Sequence, residues 1–256
     1  MTEREEARAQ LKLLATRYLL PGDAVGQLEG FLDLLVGDPR APTTVREPGR
    51  VADDHFADTL VALQVSELRS ASTVADLGSG AGLPGLVLAI ALPGAEVVLV
   101  ESSARKCEFL TRAVSACALA NAHVVHARAE SWRSGLDRFD FVTCRAVAPV
   151  SVVAEYAAPL LRIGGTLIAW RGRRDLAAER AAARAAAQLG LRADEPVAVQ
   201  PHPGAQNRHL QLMSKVRRTP SGFPRREGLA ARRPLGAQAV GEVSRHGARS
   251  SDRAQQ

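Results

Sequence analysis

Val74-Ala75-Asp76-Leu77-Gly78-Ser79-Gly80-Ala81-Gly82-Leu83-Pro84-Gly85 is the stretch from which the rest of the chain is best read. An apolar run ends in an acid, glycines follow at alternate positions, and a proline opens an apolar stretch with helical character. The pattern reads as a strand, a glycine turn and a helix N-terminus. Glycine lets the main chain turn sharply and lets a ligand approach the backbone. Proline suits the first helical turn, where its missing N–H costs nothing. A turn of this kind opening a parallel sheet is built to hold a nucleotide-like cofactor.

Two cofactors compete for it. Gly80-Ala81-Gly82-Leu83-Pro84-Gly85 is a literal G-x-G-x-x-G, the dinucleotide fingerprint. Gly78-Ser79-Gly80-Ala81-Gly82 preceded by Asp76 is instead the pattern of S-adenosylmethionine (SAM) sites, in which the acid orients the methionine end of the ligand. A second apolar run, Val97-Val98-Leu99-Val100, ends in Glu101, about 20 residues on, where an acid takes the ribose hydroxyls of either cofactor. A dinucleotide fingerprint usually starts directly after an apolar strand, without an acid there. Asp76 therefore tips the reading toward SAM.

Outward from this turn, strands and helices alternate. Strands are expected at 73–77, 96–101, 122–126, 139–144, 166–171, 195–200 and 209–216. Helices are expected at 84–92, 103–120, 150–161 and 174–189. This alternation implies a doubly wound, mostly parallel α/β sheet of seven strands, with ligands bound at the carboxyl ends of the strands. Before the sheet, helical spacing predicts helices at 3–20, 23–36 and 51–68. The expected organisation is an N-terminal helical region at 1–70, a SAM-binding domain at 71–216 and a basic tail at 217–256.

With 256 residues, 46% of them hydrophobic, the chain is long enough for one sizeable core. No apolar run approaches the ~18 residues of a membrane span, and the charged, mostly acidic first ten residues are not those of a secretory signal. Cys107, Cys117 and Cys144 are an odd number at no metal spacing, which reads as free thiols in a reducing cytoplasm. No metal motif is present, and a monomer is the expected state. The formal net charge is +6, and all of it resides in residues 217–256, which hold nine arginines and three acids. That Pro/Gly/Arg segment has few large apolar residues, so it is expected not to fold alone and to favour a polyanion.

The strand ends collect polar groups: Glu101 on the second, Arg128-Ala129-Glu130 after the third, Thr143-Cys144-Arg145-Ala146 on the fourth and Trp170-Arg171-Gly172 on the fifth. Together with the glycine turn, these motifs and Asn207-Arg208-His209-Leu210 resemble the RsmG (GidB) family of bacterial 16S rRNA methyltransferases. His55-Phe56-Ala57-Asp58-Thr59 is similar to that family's His-x-x-Asp-Ser signature, and Thr219 to Arg226 to its basic Tyr-Pro-Arg tail.

The resemblance implies a class I SAM-dependent methyltransferase fold. It also implies N7 methylation of a guanine in the 530 loop of 16S rRNA, free or in the 30S subunit. SAM contacts are implied at Gly78, Leu83, Ala129, Glu130 and Arg145, beside the Asp76, Gly80, Gly82 and Glu101 read from the motif itself. Arg171, Arg208, His209, Arg225 and Arg226 are the candidate RNA contacts. The chain departs from the family in Cys144-Arg145-Ala146 for Ser-Arg-Ala, Arg171-Gly172 for Lys-Gly, and Ala41-Pro42-Thr43 for Asn-Leu-Thr.

Several residues admit more than one role. Arg145 can hold the SAM carboxylate, hold the RNA, or pair with Glu130 or Asp140; ligand contact is the expectation. Arg171 and Arg208 suit phosphates, which take most such bonds. His209 suits base stacking or a structural hydrogen bond equally. His55 and Asp58, three apart on one helix face, suit a hydrogen bond closing the N-terminal region over the sheet. Cys144 lacks the Pro-Cys context of a cytosine-C5 methyltransferase and reads as a small buried side chain. The alternatives to a methyltransferase are an NAD-linked oxidoreductase using Gly80, Gly82 and Gly85, and a ribosome-assembly factor without turnover.

Overall fold

The structure is a computed structural model describing residues 2–237. Five parallel strands form the heart of the sheet: β1 (Thr73–Leu77), β2 (Glu96–Glu101), β3 (Ala122–His126), β4 (Phe139–Arg145) and β5 (Leu161–Arg171). β6 (Leu191–Ala193) and β7 (Val197–Val199) both pair antiparallel with β8 (Arg208–Lys215), which itself runs antiparallel to β5. The order is β3-β2-β1-β4-β5-β8-β6. The connections diverge to either side of β1 and β4, so the crevice above their carboxyl ends is the topological switch point.

The sheet has eight strands rather than the seven expected. The strand expected at 195–200 holds β7, which starts after Pro196, a residue with no N–H to give the ladder; β6, directly after α8, is the strand that was not expected. β5 also starts earlier than expected, across Gly164 at φ +86° and a register shift against β4.

Each face carries helices. On one lie α5 (Gly85–Ala91) and α6 (Ala104–Ala116); on the other lie α7 (Val150–Ala157) and α8 (Leu176–Leu189). Asp175 caps α8 by accepting from Ala177 and Ala178 N–H, and Gly190, at φ +81°, ends it. The N-terminal helices α1 (Glu3–Tyr18) and α2 (Ala24–Gly37) share one core with α5 and α6, where Phe31 stacks on Phe56 at 5.5 Å. Burial of each such side chain contributes about 2–3 kcal/mol. No helix among the described residues is long and apolar enough to cross a membrane.

The single helix expected at 51–68 is broken. Its pieces are α3 (Pro48–Val51), a π-helical turn (Ala52–Ala57), α4 (Asp58–Leu60) and two 3₁₀ turns. The wide turn rotates Phe56 into the core while His55 and Asp58 reach the strand ends.

Residues 217–237, read as a loose tail, lie against the domain. Phe223 joins the core of the α7 face, and a short helix, α9 (Leu229–Arg232), buries Ala230. The remaining tail arginines, Arg245, Arg249 and Arg253, lie outside the described residues.

Candidate active site

The first strand end does not work as its sequence suggested. Asp76 is 0% exposed and sits beneath the glycine turn, not on its ligand side. Its Oδ1 accepts from the Thr143 hydroxyl and its Oδ2 from the Gly85 N–H, each at 3.1 Å. The acid thus ties the start of α5 to β4 and holds the turn from below.

Burial pushes the Asp76 carboxyl up to about 6, against the pull of its hydrogen bonds. An acid whose folded value lies above its unfolded one binds a proton in the native state first, so stability falls as pH rises between the two values. Asp76→Asn keeps an acceptor for Gly85 N–H and can donate to Thr143. In the ligand-free protein, parent stability relative to this variant should drop from pH 4 to pH 6 by on the order of 2–3 kcal/mol, then level off. Denaturant unfolding of both proteins across that range measures it. A pH-independent difference would place the ionisation elsewhere.

Gly78, Gly80 and Gly82 have φ of +68°, +55° and +90°, the left-handed region that disfavours side chains. Their surroundings differ. A Cβ on Gly80 would meet only the Gly78 carbonyl, at 3.6 Å, so the backbone here is open to an incoming group. A Cβ on Gly82 would strike Leu86 at 2.3 Å, and one on Gly85 would strike Leu99 at 2.3 Å; these two glycines serve packing. Val147, from the loop after β4, closes over Gly78, and the preceding Ala146 holds a positive φ of +56°.

Glu101 faces the open glycine. Its Oε2 accepts from Gly80 N–H at 3.1 Å and its Oε1 from Ser103 N–H at 2.9 Å. Oε1 also accepts from the Ser102 hydroxyl at 3.4 Å, while Oε2 keeps a further lone pair, which suits a ligand hydroxyl. The open Gly80 backbone beside this carboxylate fits the ribose end of SAM. Glu101→Ala should weaken SAM binding by about 1–3 kcal/mol, as for hydrogen bonds to a charged acceptor. Calorimetric titration reads this directly; parent-like affinity would reduce Glu101 to a support for Ser103.

Arg145 pairs with neither Glu130 nor Asp140. Its Nη1 donates to Asp58 Oδ2 at 3.0 Å and to the Asp54 carbonyl at 3.1 Å, while Nη2 lies 3.4 Å from His55 Nδ1. Asp140 is taken by Arg162 and by the N–H groups of Ser72 and Thr73 at the far end of the sheet. The other His55 nitrogen meets Thr43 Oγ1 at 3.0 Å, and Trp170 Nε1 donates to the Asp58 carbonyl at 2.7 Å. His55 and Asp58 thus join the N-terminal region to the ends of β4 and β5, as their spacing suggested. Burial, and then the Arg145 charge, hold the His55 imidazole below its usual value, which leaves it neutral near pH 7. Asp58 and Trp170 had no ligand-side role predicted from the sequence. The salt bridge spans 87 residues of chain, and only complementary charge hinted at it.

The third strand end lies beside the C-terminal segment. Ala129 and Glu130 form a single 3₁₀ turn (Ala129–Ser131), and Glu130 Oε1 accepts from Gly228 N–H at 3.1 Å. Arg225 is bonded to the buried Glu155, so it does not stand free toward RNA. Its neighbour Arg226 is exposed, and so is Arg208. Arg171 is half-buried, with Nη1 at 3.4 Å from the Ala148 carbonyl. His209 is 5% exposed with its Nδ1 at 2.8 Å from the Gly172 carbonyl, so no ring face is open for stacking. Its antiparallel partner across the β5–β8 ladder is Arg171, which the alternation of β8 alone did not reveal. Leu83 is buried under the turn. Burial drives the Cys144 thiol up to about 12, which removes it as a nucleophile.

Comparison with known proteins adds to this geometry. Residues 27–210 match the sequence model of the family described as rRNA small subunit methyltransferase G. A protein of Rubrobacter xylanophilus named ribosomal RNA small subunit methyltransferase G is 41% identical over 81% of this chain and 82% of its own length. One of the same name from Chloroflexus aggregans is 39% identical over 82% of this chain and 89% of its own. Among solved structures, a SAM-dependent methyltransferase from Aquifex aeolicus superposes with a TM-score of 0.50 at 16% identity, covering 66% of this chain and 94% of that one. It shares the fold, a class I methyltransferase sheet.

Proposed function

Because the chain belongs to the rRNA small subunit methyltransferase G family, we propose that it methylates N7 of a guanine in the 530 loop of 16S rRNA, guanine-527 in the family, with SAM as donor. The observation that carries this reading is the open Gly80 backbone facing Glu101 at the switch point of the sheet. When bound against the Gly80 backbone and Glu101, SAM would supply an electrophilic methyl group for the guanine nitrogen.

Guanine N7 carries a free lone pair exposed in the major groove and no proton at neutral pH. The protein therefore has no proton to remove, and the candidate bases among the described residues are engaged: His55 is bonded to Thr43 and Arg145, Asp58 to Arg145, and Cys144 is buried with its thiol pushed up. What remains is alignment, which can supply several kcal/mol. The glycine turn and Glu101 set the cofactor end. Val147 and Ala146 narrow the space over Gly78, and the Arg145 cluster braces the N-terminal region against the ends of β4 and β5 beside it. Exposed Arg208 and Arg226 give phosphate contacts.

The test uses purified protein with SAM or NAD in parallel calorimetric titrations, then 16S rRNA and 30S subunits as acceptors. SAM binding with 7-methylguanosine at the 530 loop, read by mass spectrometry of nuclease digests, is the expected result. Binding of NAD alone, or SAM binding with methyl at another atom, overturns it. Replacing Arg208 and Arg226 with alanine should shallow the salt dependence of RNA binding by about 0.7–0.9 for each phosphate no longer neutralised. An unchanged slope would place the phosphates elsewhere.

A further inference from the structure

β8 ends at Lys215, at the amino end of the neighbouring parallel strands, far from the cofactor turn. The chain then returns across α7 to the opposite end of the sheet, and one anchor governs where it arrives. Arg225 donates Nε to Glu155 Oε1 at 2.7 Å, Nη2 to Oε2, and its own backbone N–H to Oε1 at 3.2 Å. Glu155 is 1% exposed. A bidentate guanidinium–carboxylate pair is strong and directional, and breaking this one would strand the buried Glu155 charge without a partner. Arg225 Nη2 also donates to the Arg233 carbonyl at 2.9 Å, so the pair grips both ends of a loop around α9.

That loop touches the third strand end. Gly228 donates its N–H to Glu130, and Glu227 pairs with Arg128 at 3.4 Å and accepts from the Ser131 hydroxyl. The contacts bracket Ala129 and Glu130, implied SAM contacts that follow β3, the strand beside β2; with the ribose at Glu101, this turn lies on the adenine side of the cofactor site. Without this loop the buried Glu130 carboxylate would have no hydrogen-bond donor among the described residues.

We infer that Arg225 and Glu155 are positioning residues for the cofactor: their ion pair seats residues 225–233 against the 128–131 turn and thereby fixes the adenine side of the SAM site. The inference rests on the proposed cofactor. It assigns the basic C-terminal segment a second task beside RNA contact, and it makes cofactor affinity depend on a side chain that touches no cofactor. A pre-ordered wall binds more tightly because less ordering remains to be done on binding. The segment links the two ligands physically, since Arg226 is exposed on the same loop whose next residues hold Arg128 and Glu130.

The test keeps the full chain and compares the parent with Arg225→Ala, Arg225→Lys and the double variant Glu155→Leu/Arg225→Met. The double variant leaves no unpaired buried charge and serves where Arg225→Ala does not fold. Hydrogen exchange of the ligand-free proteins is read at residues 128–132, SAM affinity by calorimetry, and SAM KM and kcat with 30S subunits. Expected are faster exchange at 128–132, a SAM dissociation constant and KM raised roughly tenfold, a kcat at saturating SAM within twofold of the parent, and partial rescue by lysine. A folded variant with parent-like exchange and parent-like SAM affinity overturns the inference. A fall in kcat with KM unchanged also overturns it, because it places the pair in the chemistry. A parent that takes up no SAM overturns the cofactor reading, and this inference with it, in the first titration.

Discussion

Gly80→Val should lose SAM binding by roughly 100-fold or more, about 3 kcal/mol, while the protein stays folded. The structure separates the two effects. At φ +55° a β-branched residue is strained, at a cost of about 1–3 kcal/mol. A Cβ there otherwise meets only a carbonyl at 3.6 Å, so the strand, turn and helix can persist. The valine methyls instead occupy the approach to the Gly80 backbone beside Glu101. Gly85→Val is the contrasting variant. Its Cβ would press on Leu99 at 2.3 Å and on the Asp76 carboxylate at 2.8 Å, both buried. Overpacking of that kind costs about 1–3 kcal/mol or more, so Gly85→Val should lower the melting temperature sharply. Thermal melts and calorimetric titrations of the two variants together check this. A folded Gly80→Val protein that binds SAM as the parent does would remove the cofactor from this turn.

The second large effect is expected at Arg145. Arg145→Ala should reduce methyl transfer by a factor of roughly 10²–10³, the range for losing one preorganised hydrogen-bond donor at a reacting centre. The arginine is 17% and its partner Asp58 13% exposed, so the deletion also leaves a half-buried acid unpaired. That costs about 1–3 kcal/mol of stability. Asp58→Asn serves as the control, since it removes the ion pair and keeps the guanidinium. If Arg145 meets the ligands, Asp58→Asn retains far more activity than Arg145→Ala at a similar loss of stability. Equal losses would make the cluster a brace between α4 and the ends of β4 and β5. Full activity in purified Arg145→Ala would confine the arginine to holding the fold. Steady-state rates at saturating SAM, set beside denaturant unfolding, distinguish these results.

Local patterns carried much of the architecture. The run Val74–Leu77 with its alternate glycines located β1, the turn and α5, because the left-handed turn and the close helix contact are backbone demands that glycine alone meets. Glu101 was legible as the second strand end for the same reason: an apolar run of period-free residues marks a strand buried on both faces, and its terminal acid stands at the sheet's carboxyl edge. The start of β7 just after Pro196 was legible as well, in a residue that cannot donate to a ladder, whereas the three residues of β6 were too short a run to read as a strand.

Tertiary structure decided what faces what. Asp76 had the right position in the motif, but the pleat turns its side chain under the helix, where Thr143 from β4 meets it. Arg145 found Asp58, 87 residues away, because a π-helical turn swung that helix over the strand ends. Arg225 looked like one more cation in a charged tail; its partner, Glu155, lies on α7 and is invisible to any local window. Composition measures whether a segment can fold alone, and residues 217–237 fold only by using a surface the rest of the domain supplies. The sequence by itself determined the parallel strands, the glycine turn and the family, since these depend on neighbours along the chain. Which charges are free for ligands and which are consumed by partners depends on neighbours in space, and only the folded chain brings those together.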